Sequence, residues 1–105
     1  MTVLPIVNMN GDSPDNLALQ YIRVRHAARA LAEALRHAAP HGRNYANSPL
    51  DGVNLSAKAR DEWSTLAASV NAIETWAEVI AVSIVNQAML SPDQIRKLMN
   101  EGEDA

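Results

Sequence analysis

The chain has 105 residues, no cysteine, no phenylalanine, 48% hydrophobic and 20% charged residues, and a formal net charge of −3. This describes one small domain; it excludes two domains, a disulfide framework, a thiolate zinc site and, through its acidity, nonspecific nucleic-acid binding. A chain this short buries only about two-thirds of its unfolded surface, so a partner subunit, most simply a second copy, is expected.

Residues 1–12 read as an extended arm: Thr2 to Met9 is apolar and β-branched but interrupted by Pro5, and Asn10-Gly11-Asp12 is a turn signal. The arm is a candidate for packing on another subunit. Ser13-Pro14 offers an N-cap with proline at the first helical position, and Asp15 suits the positive end of the helix dipole, so a first helix is predicted over 14–38. Leu17, Tyr21, Val24, Ala28, Leu31, Leu35 and Ala38 alternate spacings of four and three, the stripe that holds one helix face against a neighbour. Leu19 and Ile22 lie off that stripe and suggest self-association.

The segment 40–55, rich in proline, glycine and asparagine, is predicted as a loop, with Ser48-Pro49 and Asp51-Gly52 marking turns. A connection this long between two helices is either a plain connector or the place to look for a site. Ser56 offers an N-cap for a long helix over 57–90, in which Ala59, Trp63, Leu66, Val70, Ile73, Ala77, Ile80 and Ile84 repeat the four-three spacing. From Trp76 onward this helix is apolar nearly all round, which implies cover on several sides. Its longest strongly apolar run, Trp76 to Val85, contains Glu78 and is shorter than the roughly 20 residues that cross a bilayer. Together with the lack of a charged start and apolar run of a secretion signal, this leads to the expectation of a cytoplasmic protein with no membrane partner. Ser91-Pro92-Asp93-Gln94 combines an N-cap, proline at the first position and a capping box, predicting a short helix over 92–100 that Gly102 stops, followed by an acidic tail over 101–105. The expected fold is all-α: an antiparallel helical hairpin plus a short C-terminal helix, assembling into an oligomeric bundle.

Between Tyr21 and Tyr45, five arginines (Arg23, Arg25, Arg29, Arg36, Arg43) stand against the single acid Glu33, a local charge of +4 that leaves −7 for the rest. Arginine suits forked contact with phosphate or carboxylate, although its stem also simply covers apolar surface. The run His41-Gly42-Arg43-Asn44-Tyr45 places an imidazole, a backbone open to close approach, a guanidinium, an amide and an aromatic ring together. Arg43 can grip phosphate, Asn44 can read a base edge and Tyr45 can stack on it, with Arg25, Arg29 and Arg36 extending the positive surface along one helix flank. The alternative is structural: Pro40 and Gly42 end the helix, Arg43 caps its carbonyls and Tyr45 packs on Trp63. Glu33, His37 and His41 are a poor metal set, because Pro40 interrupts the helix between the histidines. Without a P-loop, GxGxxG, nucleophile elbow or cysteine, neither catalysis nor a cofactor is expected.

The stretch from about Ala27 to Val85 resembles short helical accessory proteins of tailed phages and prophages. The resemblance is carried by Ala39-Pro40, the turn Arg43-Asn44-Tyr45, and the following helix through Glu62-Trp63 and Ile73. The usual turn has an acid where this chain has Asn44, and a second aromatic where it has Ala46. The resemblance implies a small protein acting against host defence. Two expectations follow: sequestration of a phosphate-bearing small molecule such as a nucleotide immune signal, or inhibition of a host defence protein by direct contact. A virion assembly role is a third.

Overall fold

The computed structural model describes residues 2–7, 13–41 and 52–103, and all its regular elements there are helices: α1 (Pro14–His37), α2 (Gly52–Ala88) and α3 (Pro92–Glu103). α1 starts as its sequence dictates, the Asn16 N–H donating to Ser13 Oγ at 3.2 Å with proline at the first position. α3 starts with the full capping box: Gln94 N–H donates to Ser91 Oγ at 3.2 Å, and Ser91 N–H donates to Gln94 Oε1 at 2.8 Å. Between α2 and α3, Met89 takes a positive φ of 53°, the left-handed step that ends a helix.

α1 and α2 form the predicted hairpin, with α3 packed on α1 at the end where α1 begins and α2 finishes. The core lies at that end: Ala18, Ile22, Ile80, Ala81, Ile84 and Leu98 are buried together, with Leu17, Tyr21, Val85 and Met99 packed around them. The molecule measures 62 × 28 × 18 Å. At ~1.5 Å per residue the 37-residue α2 spans ~55 Å and sets the long dimension.

Three boundaries differ from the sequence reading by two residues or more. α2 begins at Gly52, so Ser56 is inside the helix and the connection is shorter than 40–55; Leu55, four residues before Ala59, extends the inner stripe by one more turn. α2 ends at Ala88, not at 90. Gly102 does not stop α3; it is buried within it, and Glu101 and Glu103 belong to the helix rather than to a tail. Its lack of a side chain is a packing requirement, since a Cβ there would lie 2.4 Å from Ile22 Cγ2 and 3.1 Å from the His26 ring. Ile22 is accordingly core, not a self-association residue.

The arm lies on its own α2. The Gln87 side chain accepts from the Val7 N–H and donates to the Pro5 carbonyl, both at 2.9 Å, and Val7 packs on the core. The turn expected at Asn10-Gly11-Asp12 lies outside the described residues.

The stripes are only half used. Val24 and Leu31 of α1 and Leu66 and Ile73 of α2 are exposed although they stand in the predicted stripes, because one partner helix covers only part of so wide an apolar face.

Candidate functional site

The expected anion site splits into two places. Gly42, Arg43, Asn44 and Tyr45 lie outside the described residues; His41, next to them, is exposed at the open end of the hairpin. The flank arginines are elsewhere, each beside a carboxylate. Arg29 Nε donates to Glu74 Oε1 at 3.0 Å, Arg25 Nε lies 3.9 Å from Glu78 Oε2, and Arg36 Nη2 lies 3.2 Å from Glu33 Oε2. Arg25 and Arg29 thus join α1 to α2, meeting the only two charged residues of α2 between Trp63 and Ala88. Arg25 and Arg29 are, in the fold, the basic side of two pairs between the helices, whereas Arg36 meets a carboxylate of its own helix.

Glu33 is also the acceptor nearest His37, at 3.4 Å. Among the described residues no group of three acidic, histidine or cysteine side chains is placed to hold a metal.

At the open end α2 runs on past the last turn of α1 and donates two side-chain hydrogen bonds to the chain there. Trp63 Nε1–H donates to the Leu35 carbonyl at 2.8 Å, and Arg60 Nη2 donates to the Pro40 carbonyl at 3.1 Å. The Leu35 carbonyl also accepts from the Ala38 N–H at 3.1 Å, so the indole is its second donor, and the Arg60 bond holds the chain that follows α1 as far as Pro40. Beside them a shallow cavity of about 500 Å³ is lined by Pro40, Leu55, Ala59, Glu62, Trp63 and Leu66. It is mostly apolar, with an indole in its wall and Arg60 and His41 close in the chain to its rim. Sequence reasoning passed over Arg60 and took Trp63 as a packing residue. The available signal was position: both stand on the first turns of the helix that follows the suspect segment.

A second depression, of about 300 Å³, lies between α1, α2 and α3, lined by Ile22, Arg25, Glu78, Ala81, Val82, Val85, Ile95 and Met99. Its two charges are the Arg25–Glu78 pair.

By length and composition α2 could also cross a membrane: the stretch Leu55–Ala88 contains a window of mean hydropathy 1.3. The sequence reading weighed only the uninterrupted apolar run and so missed it. Isoleucine, valine and alanine raise the mean of the longer window, while Glu74 and Glu78 within it meet arginines of α1.

No family model matches this chain, and no curated protein or solved structure matches it.

Proposed function

We propose that this chain is a non-catalytic binding protein, an accessory protein of the tailed-phage kind, that works in the host cytoplasm as a homo-oligomeric helical bundle and sequesters a phosphate-bearing small molecule of nucleotide type. The observation that carries this reading is the cavity at the open end, with Trp63 in its wall and Pro40 on its rim, directly preceding His41 to Tyr45. An aromatic wall and apolar floor suit a base, and guanidinium groups suit its phosphate. Arg60 and Arg43 are the arginines assigned to that task. Arg25 and Arg29 are assigned to the hairpin, where they face carboxylates of α2, and Arg36 to its own helix beside Glu33.

Native mass spectrometry of the purified chain, alone and with linear and cyclic nucleotides, tests this. The expected result is an oligomer that gains nucleotide masses in a fixed ratio to its subunits, releases them unchanged on denaturation, and loses them in Arg43→Ala and Arg60→Ala. An oligomer free of adducts across the panel would overturn sequestration.

A second reading, inhibition of a host protein by direct contact, is favoured by the apolar residues left exposed along α1 and α2. It predicts the adduct-free spectrum.

A further inference from the structure

The hairpin has two unlike sides. One carries the ion pairs Arg25–Glu78 and Arg29–Glu74 together with α3. The other is bare. On α1 it presents Val24, Ala27, Leu31 and Ala34, spaced three, four and three, and on α2 Leu66, Ser69, Ile73 and Trp76, spaced the same way. All eight are exposed and none is ionisable; the next residue of the α2 line, four before Leu66, is Glu62. The large side chains are far from covered: Leu31 is 50% exposed, Leu66 60%, Ile73 47% and Trp76 44%. Tyr21 meets Trp76 edge-to-face at 5.5 Å where the helices come together on this side.

We infer that a second copy of this chain covers the bare side, the two hairpins stacking face to face, with their helices antiparallel, into a four-helix bundle. This rests on the oligomeric part of the proposed function and names the surface that makes it. Three observations choose this occupant. The surface gathers Leu31, Leu66, Ile73 and Trp76, each about half exposed, on one face, a concentration of apolar side chains that marks an interaction surface. Eight neighbouring residues without charge gain from a partner equally without charge, and the same residues of another copy meet that condition.

The third is a match of size. Reversed about a two-fold axis crossing α1 midway between Ala27 and Leu31, the lines set Ala27 opposite Leu31 of the second copy and Val24 opposite its Ala34. The same operation about the middle of Ser69 and Ile73 sets those two opposite one another, and Leu66 opposite Trp76. On α1, and at Ser69–Ile73, small faces large, which lets facing layers interlock. Pairing with both core ends together would instead bring the two arms into contact, since Gln87, eleven residues or three turns after Trp76, holds the arm on this side.

Sedimentation equilibrium and disulfide trapping test the arrangement in this cysteine-free chain. The wild type is expected to be a dimer or an even multiple of one, and Leu31→Glu to lower its mass to that of the monomer with helical circular dichroism unchanged. A mixture of Val24→Cys and Ala34→Cys chains should form a mixed disulfide. Val24→Cys alone should not, because its two thiols lie ~15 Å apart along the bundle, beyond disulfide reach. An oligomer that survives Leu31→Glu and yields no mixed disulfide would overturn this interface while leaving the oligomeric reading intact. A monomeric wild type, or one that floats with phosphatidylcholine vesicles, would overturn both.

Discussion

The two ends of the hairpin are held by different physics. At the core end Ile22, Ile80, Ile84 and Leu98 are buried against one another, and α3 and Val7 close the sides. At the open end the two helices are tied by donated hydrogen bonds from Trp63 and Arg60, while Leu31 and Leu66 remain half exposed. Burial of apolar area is cooperative and strong, whereas each such hydrogen bond contributes about 1 kcal/mol net. Stability is therefore concentrated away from the candidate site, which can change its side chains at little cost to the fold.

The largest test of that contrast is Ile84→Ala, which removes a fully buried side chain from the core; it should cost about 3 kcal/mol, read by urea denaturation, and a loss under 1 kcal/mol would show that the core is elsewhere. Next, Gly102→Ala should cost about 1–3 kcal/mol, because the new methyl meets Ile22 Cγ2. Introducing it into an Ile22→Ala background should cost less than in the wild type, a coupling that a double-mutant cycle measures. Trp63→Phe keeps a ring and deletes the bond to the Leu35 carbonyl; about 1 kcal/mol is expected, with faster amide exchange in the last turn of α1 and unchanged exchange around Ile84. The smallest effect belongs to Arg29→Ala, since Arg29 is 59% exposed and its pair with Glu74 is screened. A loss below ~1 kcal/mol that shrinks further in 1 M salt is expected.

Much of this organisation was legible in the chain. Ser13-Pro14 and Ser91-Pro92-Asp93-Gln94 start helices because their capping chemistry is local, contained in three or four residues. Both stripes were legible too, but a stripe does not say how many neighbours it has, so Val24 and Leu66 read like Ala28 and Val70 although only the latter two are buried in the described chain. Gly102 misled for a related reason. Glycine near a helix end ordinarily marks a stop, and only the approach of Ile22, eighty residues earlier, shows that its role is to admit a neighbour. The arginines of α1 advertised an anion site because Glu74 and Glu78 are some fifty residues away in sequence; antiparallel pairing brings them within reach.

The elongated shape has a hydrodynamic consequence. The radius of gyration is 19.2 Å, whereas a compact domain of this length would have about 13 Å. A single chain would therefore leave a size-exclusion column somewhat earlier than a globule of its own mass. Side-by-side pairing would double the mass and thicken the rod while its longest chord stayed near 62 Å. Small-angle scattering would register that pairing in the cross-section and forward intensity, with the maximum dimension almost still.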